Sequence, residues 1–261
     1  MSQDQRVAAD LCSSASKQWG ILGFRTCGGA RPGGRPIERI GHPMASAIQY
    51  LPPLAIEGHE SSGRGSDDHP MRIATRRAAG LEADGWTPEL RGEVADFFDA
   101  LADEWHTRTT PQRRAVVVDA LTRGVDALHL RNGVAIEIGS GIGTYSSLLT
   151  EWFRIVLAMD LSRPMLARAP AGPAHRVQAD ASRLPVHDAA AAAVVLINAF
   201  LFPAEVARIL SREGAIVWVN SSGAQTPIHL SAEEVVAALP GSWTGVASQA
   251  GAGTWCVLRR R

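Results

Sequence analysis

Residues 134–145 read Val-Ala-Ile-Glu-Ile-Gly-Ser-Gly-Ile-Gly-Thr-Tyr. Four aliphatic residues, Val134, Ala135, Ile136 and Ile138, surround Glu137 in a run that suits a strand buried on both faces, as in the middle of a parallel sheet. Gly139, Gly141 and Gly143 then remove every second Cβ where the chain must turn into a helix, so a ligand can lie against bare backbone. The segment reads as a strand-to-helix cradle for a flat or extended ligand. A dinucleotide fingerprint would carry its third glycine three residues after the second, and that position here is Thr144.

Downstream, the pattern of strand, acidic tip and helix repeats. The run from Ile155 to Met159 ends at Asp160 and would lie beside the first strand in a right-handed crossover unit. A carboxylate at such a strand end can accept both ribose hydroxyls of an adenosine, which supports a nucleoside ligand of either dinucleotide or simpler type. Asp160 has a second reading, as a cap for the helix that starts near Ser162-Arg163-Pro164. The next run, His175 to Ala179, closes at Asp180, which is followed by Ala181 and then Leu184-Pro185. A fourth run ends at Leu196-Ile197-Asn198-Ala199-Phe200, and Phe202 to Leu210 is a helix with Pro203 in its first turn and Gly214 as its stop. Ala215 to Asn220 makes a fifth strand. Ser231 and Glu234 form a capping box for a helix running to about Leu239. Two final runs, Trp243 to Gln249 and Thr254 to Arg259, are separated only by residues 250–253, which allows a hairpin and no crossover helix.

Glu137 ahead of Gly139-x-Gly141-x-Gly143, the acidic tips Asp160 and Asp180, the Leu184-Pro185 pair and the closing hairpin together resemble the class I S-adenosylmethionine-dependent methyltransferases, of the small-molecule, type 11-like kind. The resemblance covers about residues 90–261. It implies an α/β fold: a Rossmann-like, seven-stranded, mostly parallel sheet with a C-terminal antiparallel hairpin strand and helices on both faces. It also implies S-adenosyl-L-methionine as cofactor. Glu137, Gly139, Ser140, Gly141 and Gly143 would shape its methionine end, and Asp160 would take the ribose, with Leu161 packing near the adenine. Asp180 and Ala181 would read the adenine edge, and Asn198 would face the methionine end from the fourth strand. One departure is the stretch Ala189 to Ala193, where the family usually carries an Asp before its fourth strand; that position mostly shapes a turn.

Upstream lie two amphipathic helices. Thr87-Pro88 opens the first, with Val94, Phe97, Phe98, Leu101 and Trp105 on one stripe, and Thr110-Pro111 opens the second, which stops near Gly124. The bland reading of that stripe is core. The segment from Phe97 to Trp105 also resembles the leading helix of small-molecule methyltransferases, which folds over the cofactor. Residues 71–125 are therefore expected to form a helical lid on a cofactor-binding domain spanning 126–261. Residues 1–70 are broken by Gly28-Gly29, Gly33-Gly34, Pro52-Pro53 and Ser61-Ser62-Gly63, so a disordered extension is expected there. The better-behaved sequence from Met71 raises the expectation of a native start there, which a native peptide from upstream would refute.

Composition narrows the function. Twenty-six basic and 26 acidic residues give a formal net charge of +0, with only short basic clusters, so no nucleic-acid footprint is expected. The apolar runs are too short for a membrane span. Cys12, Cys27 and Cys256 are scattered, which fits a reducing cytoplasm and no paired-cysteine metal site. Lys17 is the only lysine, which removes lysine as a base in the folded part. Asn198-Ala199-Phe200-Leu201 lacks the Pro-Pro-aromatic sequence that resembled enzymes use on nucleobases, and there is no Pro-Cys nucleophile.

The expected reaction is methyl transfer to a small-molecule acceptor by in-line displacement at an activated sulfonium, so the chain must mainly align the acceptor and exclude water. If a base takes part, histidine is the usual choice. His106 and His229 are weak candidates and His187 a weaker one, since each also reads as an ordinary helix-end, loop or turn residue. Trp105, Phe200, Phe202, Trp218 and Gln225 are expected around a partly apolar acceptor. Two alternatives stand beside this reading: a methyltransferase-like binding or regulatory protein without activity, and a nicotinamide-dependent oxidoreductase.

Overall fold

The computed structural model describes residues 48–60, 63–126 and 133–261. Its centre is a sheet of β1 (Ile48–Tyr50), β2 (Val134–Ile138), β3 (Ile155–Asp160), β4 (His175–Gln178), β5 (Ala191–Ile197), β6 (Leu210–Asn220), β7 (Trp243–Ala250) and β8 (Gly253–Arg260). The spatial order is β1-β7-β8-β6-β5-β2-β3-β4. Strands β2 to β6 pair in parallel, and β8 runs antiparallel to both β6 and β7. The α/β class, the mostly parallel sheet and the closing hairpin are as expected.

The strand count is eight rather than seven. The extra strand is β1, which pairs in parallel with β7 and places Ile48 opposite Gly245. Without it β7 would be an edge with unpaired backbone groups. Leu51 N donates to Ala247 O at 2.8 Å and Leu54 N to Gln249 O at 2.9 Å, so the arm continues along that edge. Residues 48–60 thus depart from the expected disorder, because their partner is a strand some 200 residues away in sequence. Residues 63–70 of that span are described as well, with Gly65 N donating to Ala224 O at 3.0 Å and Pro70 opening a helix, while residues 1–47 and 61–62 lie outside the described residues.

Alternation along the strands produces two cores. Ile136, Ile138, Leu157, Met159, Val194, Leu196, Ile216 and Trp218 share one cluster, while Ala135, Val156, Ala193, Val195, Val217 and Val219 share the other. Both faces are buried, which is why β2, β3 and β5 read as continuous apolar runs. The helices are α1 (Pro70–Ala78), α2 (Pro88–Leu101), α3 (Pro111–Asp119), α4 (Ser146–Leu149), α5 (Arg163–Arg168), α6 (Pro203–Ile209) and α7 (Ala232–Ala238). Val206 and Ile209 of α6 and Val235 of α7 fill the first core; Val116 and Val117 of α3 and Leu148 and Leu149 of α4 fill the second. After Asp119, α3 widens into a π turn, Ala120–Val125.

Caps explain where most helices begin. Thr87 Oγ1 accepts from Leu90 N, Thr110 Oγ1 from Arg113 N and Ser162 Oγ from Met165 N, each at 3.2 Å, with Pro88, Pro111 and Pro164 in the first turns. The Ser231–Glu234 capping box is formed. Helix α6 ends at Ile209 and Leu210 goes extended, so Gly214 lies inside β6 instead of stopping the helix. Helices α1 and α2 form a separate small cluster with the loop after β6, through Met71, Ala74, Val94 and Ile228. No helix among the described residues is long and apolar enough to cross a membrane.

Candidate active site

The bend after β2 adopts the conformation its glycines permit. Gly139 and Gly141 have φ of +68° and +54°. A Cβ on Gly139 would lie 2.7 Å from the Ala199 Cβ, and one on Gly141 would lie 3.4 Å from Trp105 Nε1. The bare backbone is therefore demanded both by torsion and by space. Ser140 N donates to Met159 O at 3.0 Å, which ties the bend to β3.

Asp160, at the end of β3, completes this tie. Its Oδ2 accepts from Gly141 N at 2.7 Å and its Oδ1 from Ser162 N at 2.8 Å. It therefore both fixes the cradle and supports the start of α5, whose cap is Ser162 itself. Burial raises its pKa, opposed by the N–H groups of Ser162 and Gly141. Glu137 is 2% exposed and accepts from Ser146 Oγ at 2.5 Å. Burial pushes its carboxyl up to about 7, against the Ser146 hydrogen bond and with help from the negative charge of Asp160. Asp180, at the tip beyond β4, accepts from Ser182 N at 2.8 Å and faces Arg91 at 3.5 Å.

These groups line one cavity of about 400 Å3. Its floor holds Glu137, Gly139, Ser140, Gly141, Asp160, Leu161, Asp180, Ala181 and Asn198. Ser140 Oγ and Thr144 Oγ1, both on this wall, are buried without a hydrogen-bond partner. Asn198 has φ of +50° and exchanges hydrogen bonds with Ser221, donating from Nδ2 to its Oγ and accepting from its N, both at 2.8 Å. Gly143 does not line this cavity; a Cβ there would meet Ala169 at 3.2 Å, so it serves the turn instead.

The roof comes from the helices ahead of β2. Phe97, Phe98, Leu101 and Trp105 line the cavity, and of the expected stripe only Val94, 3% exposed, is fully buried. Phe98 meets Trp105 edge-on at 5.6 Å, and Trp86 meets Phe200 at 5.5 Å and Phe202 at 5.1 Å. Gln225 lines the cavity with Phe200 and Phe202, but Trp218 does not: it shares the parity of Ile216 in β6, and its Nε1 donates to Asn220 Oδ1 and Leu230 O inside the core.

None of the three expected histidines lines the cavity. His106 is exposed and its Nδ1 lies 3.0 Å from Asp103 O; His187 is exposed in the turn before β5. His229 is partly buried, and burial with the nearby Arg72 lowers its pKa to about 4. The histidine on the cavity wall is His69, which the sequence reading missed, together with Arg108, Arg113 and Tyr145. His69 caps α1 by accepting from Met71 N at 3.1 Å, and a histidine ahead of a proline carries no recognisable catalytic pattern.

Residues 136–217 match the family model of a methyltransferase domain. That span carries a methyltransferase domain. The DhpI–SAH complex is a similar solved structure, at 19% identity over 64% of this chain and 94% of that one, with a TM-score of 0.50. Phosphoethanolamine N-methyltransferase 1 of Haemonchus contortus is more distant, at 20% identity over 54% and 34% of the two chains and a TM-score of 0.41. The YcgJ protein of Bacillus subtilis matches at 20% identity over 37% and 47%, with a TM-score of 0.34. No curated protein matches this sequence. The matched span of the methyltransferase domain runs from β2 into β6 and contains the bend and both acidic tips; the roof lies outside it.

Proposed function

We propose that this methyltransferase domain uses S-adenosyl-L-methionine to methylate a small molecule held beneath α1 and α2. One observation carries the reading: a single cavity unites the glycine bend and the tips of β2, β3 and β4 under an aromatic roof. The residues present fit the cofactor. The backbone at Gly139 and Gly141 is open to a ligand, Ser140 Oγ and Thr144 Oγ1 lack partners, and Asp160 and Asp180 keep acceptor capacity beyond the backbone bonds they make.

Glu137, Gly139, Ser140 and Gly141 would hold the methionine part, with Gly143 shaping the turn behind them. Asp160 would take the ribose and Leu161 would pack near the adenine, whose edge Asp180 and Ala181 would read. Asn198, pinned by Ser221, would stand at the end of β5 facing the transfer point. When bound, the cofactor supplies a methyl group already activated on a sulfonium, so no strong acid is asked of the protein. What remains for the chain is to align the acceptor and exclude water, which Trp86, Phe98, Trp105 and Phe200 on the wall are suited to do. The nicotinamide alternative is not favoured, because Thr144 replaces the third fingerprint glycine and the sheet closes with the β7–β8 hairpin.

Calorimetric titration of the full chain with S-adenosylmethionine tests the binding half. One site is expected, weakened by about 1–3 kcal/mol in Asp160→Ala, where ribose hydroxyls and the Gly141 N–H lose their partner. Absence of binding heat and of any thermal shift would refute it. Radiolabelled methyl transfer into the small-molecule fraction of a cell extract tests the catalytic half; binding with no label transferred would favour the inactive, regulatory alternative.

A further inference from the structure

The two walls of the cavity differ in charge. All three lining carboxylates, Glu137, Asp160 and Asp180, stand at the tips of β2, β3 and β4, and each already accepts a hydrogen bond from Ser146, from Gly141 and Ser162, or from Ser182. The roof and the loop after β6 contribute His69, Arg108 and Arg113 and no carboxylate. Among the described residues neither arginine forms an ion pair with an acid. Arg113 donates to the Arg108 carbonyl at 2.6 Å, and the Arg108 guanidinium lies over the Trp105 ring, 5.4 Å from its centroid. The cofactor's own carboxylate can occupy one of these cations; a second remains.

His69 adds a direction to this charge. Its Nδ1 accepts the Met71 N–H at 3.1 Å, so the neutral ring carries its proton on Nε2. It therefore offers the cavity a hydrogen-bond donor, and serving as a base would forfeit the cap of α1. With the three carboxylates of the floor assigned to the cofactor, no lining group on the roof side is thus placed to remove a proton from the acceptor. An amine would arrive protonated at neutral pH and meet arginines instead of a carboxylate. An alcohol would arrive with a proton that nothing takes.

We infer that the acceptor is a flat, apolar molecule that brings its own oxyanion, a carboxylate or an acidic phenol or enol, drawn in by Arg108 and Arg113 and held by the Nε2–H of His69. This rests on the methyl-transfer reading above. The acceptor oxygen gains the methyl carbon as the carbon–sulfur bond breaks, the bonding pair stays on sulfur, and no proton is released. The apolar body lies against Met71, Trp86, Phe98 and Phe200.

Three probes with one flat body test the charge preference: 2-naphthoate, 2-naphthol and 2-naphthylmethylamine, titrated into the full chain saturated with S-adenosylhomocysteine and followed by tryptophan fluorescence. The naphthoate is expected to bind about tenfold or more tighter than the amine, as a charge-assisted hydrogen bond requires. His69→Asn keeps a side chain that caps helices well but withdraws the Nε2 donor. It is expected to weaken the naphthoate about tenfold and the naphthol less, and thermal melting of the variant confirms that the fold is kept. An amine that binds as tightly as the naphthoate, equal affinity for all three probes including none by any, or a His69→Asn variant that holds the naphthoate unchanged overturns the inference. Failure of S-adenosylhomocysteine itself to bind overturns instead the reading beneath it.

Discussion

The floor and the roof of the cavity are held in different ways. In the floor, Asp160 and Asp180 are fixed by backbone N–H groups at 2.7 to 2.8 Å, and β2 and β3, which carry the bend and Asp160, are buried on both faces. In the roof, Phe97 is 43% exposed, and α1 and α2 share with the loop after β6 only the small cluster of Met71, Ala74, Val94 and Ile228. Polar links join the two. Arg168 Nε donates to Asp103 at 2.7 Å, Ser162 Oγ to Asp99 and Arg91 to Asp180 at 3.5 Å, while Arg72 ties α1 to the loop after β6 through Ala224 O and Thr226 O at 2.7 and 3.1 Å. A shelf built into a doubly buried sheet resists opening, whereas a roof with few buried apolar contacts opens at lower cost. On the proposed function, the shelf would hold the cofactor and the roof would set acceptor choice.

Breaking the shelf should have the largest effect. Gly139→Ala puts a Cβ at φ of +68° and 2.7 Å from the Ala199 Cβ, so the bend must shift. Affinity for S-adenosylhomocysteine is expected to fall by about 100-fold, with a stability loss of about 1–3 kcal/mol, read by calorimetry and thermal melting. An unchanged affinity would mean that the bend is not part of the cofactor site.

The buried carboxyl of Glu137 sharpens the contrast through pH. Its folded pKa of about 7 lies above the ordinary 4.5, so the folded state binds more protons across that window and stability falls as pH rises through it. Glu137→Gln lacks this ionisation. Above pH 7 it is expected to be more stable than the parent by on the order of 3 kcal/mol, at about 1.4 kcal/mol per pH unit, with the gap closing below pH 4.5. Denaturant melts at several pH values check this, and a gap that does not depend on pH would assign its stability effect to packing. The smallest effect is expected in the roof: Phe97→Ser should change stability by about 0.5 kcal/mol or less while lowering methyl transfer, because its ring is half exposed yet lines the cavity. A large loss of stability there would make α2 part of the core.

The same division governs what the sequence discloses. The shelf is local: an apolar run, alternate glycines and a carboxylate at each strand end all lie within a few residues of one another, and β2, β3 and the hairpin follow from them. Parity within β6 also separates Trp218 from the cavity, a signal present in the sequence but masked by the pull of an aromatic toward a ligand. The roof is assembled from afar. His69 acts as a helix cap, Arg108 closes a short 3-10 turn and Arg113 sits in the first turn of α3, so no spacing connects them to the bend. β1 is three residues long and is defined only by the β7 edge it covers. Histidines chosen by position along the chain, His106 and His229, fell outside the cavity because helix phase and loop path, not proximity to a motif, set where a side chain lands.

A crystal structure of the full chain with S-adenosylhomocysteine measures most directly whether the bend and the acidic tips make one cofactor berth. The expected density has the ribose against Asp160, the adenine edge at Asp180 and the amino-acid end on the backbone of Gly139 to Gly141, beneath Trp105. Ligand bound anywhere else, or a cavity left empty at saturating ligand, would contradict it.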